Sequence, residues 1–289
     1  MPIVEPVIRP PSEAESFLLQ ITTGCSSRTC TFCGAYPGKD FSIKKEAEIF
    51  SDISTEAAFS RGTRKVFLLD GDALAVPNDR LIPVLKRIGD ELPKVTRISS
   101  YANGYNITQR NTAELEELAG HKLKLIYMGL ESGSQKILDI CKKRSKVDEM
   151  VAAVGKARES GIKSSVIVLL GLGGRGLKEK HVRDTAEALN RMQPKFLSFL
   201  SLMLIPGTPL AEDRNRGRFE ELDKGELIEQ AYQILLLLDL CNTIFLSNHA
   251  SNYLPLTGRL PQDKDKLLLL LQRAREGEIG LRPEYMRGL

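Results

Sequence analysis

Three cysteines, Cys25, Cys30 and Cys33, lie within nine residues in the stretch Gly24-Cys25-Ser26-Ser27-Arg28-Thr29-Cys30-Thr31-Phe32-Cys33-Gly34. Thiolates are soft ligands, and three of them on one short loop suit an iron–sulfur cluster. A cubane cluster has four irons, so three cysteines leave one iron open to a substrate or cofactor. That opening moves the expectation from an electron carrier towards a catalyst. A zinc site usually completes itself with a second ligand pair at some distance. Here Cys141 and Cys241 each stand alone, and His121, His181 and His249 are scattered. Five cysteines are odd in number and no apolar signal segment opens the chain, which argues against a disulfide framework. Cys141 and Cys241 read as core residues, and His249 as either an acid–base group or a turn cap.

The elements that must position this loop follow a repeat. Apolar runs of strand type fall at residues 17–22, 65–70, 95–100, 124–129, 163–170 and 195–204, rich in Val, Ile, Leu and Phe as buried parallel strands are. Amphipathic stretches separate them, at 47–60, 79–92, 111–120, about 145–160 and 176–192, the fourth opened by a capping-box pattern at Ser145-Lys146-Val147-Asp148. About six βα units in series imply a parallel sheet with right-handed crossovers. Six strands are too few for a closed (β/α)8 barrel, so the expected fold class is α/β, a partial (β/α)6 barrel, with an open doubly wound sheet as the alternative. Residues 12–210 form the expected barrel. The remaining 211–289 read as a mainly helical C-terminal extension packed on it, with helices at 227–240 and 263–275.

Composition sets the bounds. A chain of 289 residues with 42% hydrophobic and 27% charged residues fits one large or two small globular domains. Its apolar runs are too short to span a bilayer, and the expected location is cytoplasmic. The net charge of +4 does not call for nucleic acid, and the absence of Trp argues against a broad base-stacking surface.

Each unusual polar or Gly-rich motif falls just after an expected strand: the cysteine loop, then Asp70-Gly71-Asp72, Asn103-Gly104, Glu131-Ser132-Gly133, Gly171-Leu172-Gly173-Gly174 and Pro206-Gly207-Thr208-Pro209. In a parallel sheet such positions share one face, where active sites gather. From the residues alone, Glu131 also reads as an acid at a helix N-terminus, Arg144 in Lys142-Lys143-Arg144 as a solvated charge, and Asp72 as a turn residue.

From about residue 17 to 210 the chain resembles the radical S-adenosylmethionine (SAM) superfamily, in particular short members of the branch related to oxygen-independent coproporphyrinogen oxidase. The resemblance implies a [4Fe–4S] cluster on Cys25, Cys30 and Cys33, with SAM chelating the fourth iron. Reductive cleavage of SAM to a 5′-deoxyadenosyl radical and hydrogen abstraction from a substrate would follow. The spacing here, four residues then two, departs from the family's usual three then two and lengthens the first loop by one residue. The resemblance also implies that Phe32 lies near the adenine and that the Asp70-Gly71-Asp72 stretch holds the SAM ammonium. Ser100 and Asn103 would add hydrogen bonds, and Glu131 would bind the ribose. Arg144 would pair the methionine carboxylate, with Lys143 its rival one register away, while Gly171 and Gly173 would let backbone approach the adenine. Tyr36, Tyr101 and Tyr105 are candidates for substrate contact. A flavodoxin- or ferredoxin-type electron donor is the implied partner, alongside a small-molecule or macromolecular substrate. A non-catalytic iron–sulfur or haem handling protein and an electron-transfer protein are the alternative classes.

Overall fold

The computed structural model describes residues 3–36, 38–60 and 62–288. Among them the strands are β1 (Phe17–Gln20), β2 (Thr22–Thr23), β3 (Ser42–Ile43), β4 (Lys65–Leu69), β5 (Arg97–Tyr101), β6 (Leu123–Glu131), β7 (Lys163–Leu170), β8 (Phe196–Ser201), β9 (Thr243–Ser247) and β10 (Leu256–Leu260). The helices are α1 (Glu46–Phe59), α2 (Asn78–Glu91), α3 (Gly104–Thr108), α4 (Thr112–Gly120), α5 (Gln135–Ile140), α6 (Val147–Glu159), α7 (Lys178–Met192), α8 (Pro209–Asn215), α9 (Lys224–Leu237) and α10 (Lys264–Arg275). They divide into two compact units. The first takes residues up to Arg28, Ala35–Met128 and Gly155–Ser164; the second takes Thr29–Gly34, Gly129–Val154 and the residues from Ser165 on.

In the first unit β1, β4, β5 and β6 are neighbours in that order and every pair is parallel, with Phe17 opposite Val66, Lys65 opposite Arg97 and Ser99 opposite Leu125. Strand β4 reads Lys-Val-Phe-Leu-Leu, and its four apolar residues are all buried, as a strand covered on both faces requires. Helix α2 places Leu81, Ile82, Leu85 and Ile88 on a buried stripe at helical spacing. The rings of Phe67, Tyr101 and Tyr127 meet edge-on at 5.3–6.0 Å. Beside them Tyr127 donates to the buried Glu13, which also pairs with Arg97 at 2.7 Å. Burial first, and the Glu13 hydrogen bond second, push the Tyr127 phenol well above its ordinary pKa.

In the second unit β7, β8 and β9 run parallel in that order and β10 is antiparallel to β9. Helix α7 packs on α9, α9 on α10, and α10 on β10. Leu189 and Met192, Ile234 and Leu235, and Leu267 and Leu271 are the buried residues these helices contribute.

The six strands expected from the sequence correspond to β1 and β4–β8, and the fold is α/β with a mostly parallel sheet and surrounding helices. Segment 211–289 is mainly helical, as expected, through the end of α8, α9 and α10, and it adds the short strands β9 and β10, which the sequence reading did not place. Strand β9 has an apolar run of only three residues, Ile244-Phe245-Leu246, and β10 is interrupted by Gly258 and Arg259, so both give a weak signal. Segment 211–289 falls in the second unit together with β7 and β8. The capping box expected at Ser145 does not form. Its hydroxyl is buried without a hydrogen-bond partner, and Val147 N donates instead to Gln135 Oε1 at 3.0 Å. Capping boxes occur at Asn111–Glu114 and Asp223–Glu226. Among the described residues no helix is long and apolar enough to cross a membrane.

Candidate functional site

The motifs do follow their strands, and each unit assembles part of them. In the first unit the cysteine loop follows β1 and the short β2 and begins at Gly24, whose φ of +68° is a left-handed conformation suited to glycine. Gly24 O accepts from Gly71 N at 3.1 Å, which brings the end of β4 beside Cys25. The approach is close: a Cβ on Gly71 would lie 2.9 Å from Cys25 Cβ, 3.2 Å from its Sγ and 2.8 Å from the Tyr36 ring. Asp72 is fully buried. Its Oδ2 accepts from Ser26 Oγ and from Asn106 Nδ2, the latter at 2.6 Å, while Oδ1 has no hydrogen-bond partner. Asn103 Nδ2, after β5, is likewise buried without a partner. Orphaned buried polar atoms are uncommon in folded proteins and mark where a polar ligand would complete the structure.

Asp70 stands in a different setting. It is fully buried and its carboxylate is engaged by Lys39 at 2.6 Å, Gly24 N at 2.8 Å and Gln20 Nε2 at 3.2 Å. Ser100 is also fully buried, and its hydroxyl donates to Tyr101 O at 2.7 Å.

In the second unit four hydrogen bonds shape the turn that carries Cys30 and Cys33. Cys33 N donates to Cys30 O (3.3 Å), Thr31 N to Cys141 O (2.9 Å), Leu210 N to Thr31 O (3.0 Å) and Thr29 Oγ1 to Lys142 O (2.7 Å). Phe32 packs against the apolar cluster of Ile137, Cys141, Leu172, Leu202 and Leu210. Cys141 is buried as expected, and burial pushes its thiol up to about 11, so it stays protonated at neutral pH. Cys241 is exposed rather than in the core, because it begins the turn into β9.

Glu131 ends β6 with φ +63°. Its carboxylate folds back over Gly129, where a Cβ would lie only 2.0 Å from Oε1. Residues two apart on a strand share a face, so Gly129 is what leaves room for this side chain. Lys143 Nζ approaches Glu131 at 3.4 Å with both side chains largely covered, whereas Arg144 is exposed. Lys143, one of the two basic residues in register, thus pairs with Glu131. Gly171, at φ +88°, packs against Leu227, and its N–H donates to Gln230 Oε1 at 2.7 Å, so α9 grips this turn. His249 caps a turn, accepting from Ser251 N at 3.1 Å.

Helix α7 anchors the loop that follows Glu131. Gly133 N donates to Thr185 Oγ1 at 2.9 Å, and Ser132 Oγ meets His181 Nδ1 at 2.8 Å. His181 is fully buried, and burial lowers its pKa to about 4. The folded value lies below the unfolded one near 6.5, so the neutral ring contributes its stability above that pH. The contribution falls away as pH drops from about 6.5 to about 4, by roughly 3 kcal/mol at most. Denaturant unfolding of wild type and His181→Gln is therefore expected to give a stability difference that shrinks over this range; a constant difference refutes the assignment.

Sequence reasoning missed Gln20, Lys39, Asn106, Gly129 and Gln230. Gly129 was readable from the strand period, two residues before Glu131, and Gln230 as an amide within the apolar face of Leu227, Ile234 and Leu235. Nothing marks Lys39.

The donor set fits a cluster. The cysteines supply three thiols, the glycine at 71 keeps the space beside Cys25 clear, and a buried carboxylate oxygen of Asp72 is left over three residues after the end of β4. Among the described residues no three His, Cys, Asp or Glu side chains converge to hold one metal ion. A cubane takes each thiolate on a different iron and does not need such convergence.

The model of the radical SAM superfamily matches residues 19–189. Biotin synthase from Buchnera aphidicola subsp. Schizaphis graminum is 26% identical over 207 residues, 71% of this chain and 58% of that protein. An uncharacterized protein of Methanocaldococcus jannaschii is 29% identical over 139 residues, 48% of this chain and 38% of that one. The chain thus spans about half the length of the curated relatives it matches. Among solved structures, the radical SAM methyltransferase TsrM from Kitasatospora setae, with cobalamin and a [4Fe–4S] cluster bound, gives a TM-score of 0.56 at 19% identity, over 68% of this chain and 39% of that one. Coproporphyrinogen III oxidase from Escherichia coli gives 0.55 at 14% identity, over 76% of this chain and 50% of that one. At these identities the likeness is one of fold.

Proposed function

The chain belongs to the radical SAM superfamily, and from that premise we propose that it is an enzyme that cleaves SAM at a [4Fe–4S] cluster held by Cys25, Cys30 and Cys33. When bound, the cluster and SAM supply a 5′-deoxyadenosyl radical that abstracts hydrogen from an organic substrate.

The observation that carries this reading is the unpartnered Asp72 Oδ1, buried beside the cysteine loop through the Ser26 contact. A buried carboxylate oxygen without a partner is costly, and an ammonium group satisfies it with a charge-assisted hydrogen bond. Asp72 is thus assigned the SAM ammonium. Asn103 Nδ2, the second orphan of that unit, is a donor for an oxygen of SAM or substrate. Gly71 keeps Cys25 unobstructed. Glu131, its position set by Gly129 and Lys143, accepts from the ribose hydroxyls. Arg144, exposed beside this pair, is assigned the methionine carboxylate. Phe32, seated on the apolar cluster, is assigned a place near the adenine, and the Gly171 turn is held for the adenine by Gln230. Asp70 and Ser100 support this arrangement from buried positions. The electron donor is a flavodoxin- or ferredoxin-type protein.

The test is anaerobic. The chain is reconstituted with iron and sulfide, reduced with dithionite and given SAM, and 5′-deoxyadenosine is quantified by mass spectrometry. Formation of 5′-deoxyadenosine by wild type and its loss in Cys30→Ala is the expected result. A Cys30→Ala protein that cleaves SAM at the wild-type rate refutes the reading.

A further inference from the structure

The Lys39–Asp70 pair is among the most deeply buried charge in the first unit, with side chains 5% and 0% exposed. The ammonium has a partner for each of its three protons: Asp70 Oδ2 at 2.6 Å, Val4 O at 2.5 Å and Pro6 O at 2.9 Å. The same Asp70 oxygen accepts from Gly24 N at 2.8 Å and from Gln20 Nε2 at 3.2 Å. Lys39 acts on Gly24 a second time through its backbone, because a Cβ on Gly24 would lie 2.7 Å from Lys39 O. The residue immediately before Cys25 is therefore held from two sides, its amide by the carboxylate and its Cα by the carbonyl.

A buried ion pair is a poor way to stabilise a fold, since two apolar side chains of equal volume commonly do as well or better. Its geometric precision is what an apolar pair lacks. A carboxylate already matched by Lys39 is also a weaker partner for a second ammonium than Asp72, whose Oδ1 is unmatched. We infer that Lys39 and Asp70 are positioning residues for Cys25: the pair, capped by the carbonyls of Val4 and Pro6, fixes Gly24 and so aims the Cys25 thiolate at the cluster. This rests on the reading of Cys25 as a cluster ligand. It gives the residues at 4–6 a part in cluster retention. Partners of this kind, one step behind a metal ligand, typically change metal affinity or activity by about 10–100-fold when removed.

The test compares wild type, the volume-matched double variant Lys39→Met/Asp70→Leu, and Asp70→Asn. Alkylation of each cysteine by iodoacetamide is followed by mass spectrometry in the protein before iron is added. Thermal melting is recorded alongside, and iron and sulfide retained through gel filtration are measured after reconstitution. The double variant is expected to keep a cooperative melt and to alkylate at Cys25 about ten-fold faster, with Cys33 changed little, and to retain about a tenth of the wild-type iron. Cys25 reactivity and iron content at wild-type values in a folded variant overturn the inference. So does a parallel rise at all cysteines, which marks a merely structural pair. If the double variant does not fold, the isosteric Asp70→Asn is judged by the same two readouts. Faster Cys25 alkylation in a protein whose wild type takes up no iron leaves the positioning intact and refutes the cluster reading instead.

Discussion

Gly71→Ala is expected to retain about a tenth or less of the iron and sulfide that wild type holds after reconstitution, while remaining folded. The added methyl would stand 2.9 Å from Cys25 Cβ and 2.8 Å from the Tyr36 ring, both closer than real contacts allow. The backbone cannot yield freely, because Gly71 N is bonded to Gly24 O at 3.1 Å. Overpacking of this kind costs about 1–3 kcal/mol in a protein interior. Here the atom that must move is part of a cluster ligand, so the strain appears as lost metal rather than mainly as lost stability. Gly89→Ala is the control. Its Cβ meets nothing within 4 Å on α2, and replacing a glycine inside a helix stabilises by about 1 kcal/mol. Iron analysis and thermal melting of the two variants, side by side, decide the matter. Gly71→Ala with wild-type iron content would mean that the contact between the end of β4 and Cys25 is incidental.

The second large effect belongs to Gly129. Gly129→Ala is expected to weaken SAM binding by about 10–100-fold, the range of a lost hydrogen bond to a charged group. Its methyl would occupy the space of the Glu131 carboxylate, 2.0 Å from Oε1. Glu131→Ala is expected to weaken binding to a similar degree, and the double variant no further, since both changes remove one interaction. Equilibrium dialysis with SAM on cluster-loaded protein measures all three. Additive losses in the double variant would show that Gly129 and Glu131 act separately.

The legible part of the molecule was the part with a period. Strands β4 and β7 carry apolar runs of four and five residues, and α2 and α7 carry buried stripes at helical spacing, so local pattern and fold agree. Strands β9 and β10 were hidden because β9 has only three apolar residues in a row and β10 is broken by Thr257, Gly258 and Arg259. The cysteine loop was legible because its residue types are rare and close in sequence. Its supports were not: Lys39 reaches Asp70 across 31 positions, and Gln230 reaches Gly171 across 59, so both depend on packing that no window along the chain contains. Lys143 and Arg144 are adjacent in sequence, yet Lys143 is largely covered beside Glu131 and Arg144 is exposed, a difference that no pattern along the chain marks.

The grip of α9 on the Gly171 turn bears on how such a chain can be recombined. Gln230 supplies the acceptor for Gly171 N, and Leu227 fills the space that a side chain at 171 would take. The segment beyond 210 is thus not an interchangeable attachment. A graft from another protein works only if it returns an amide and an aliphatic group to these two places, three residues apart on one helix face. Libraries that shuffle C-terminal segments onto this framework should hold that pair constant and vary the rest.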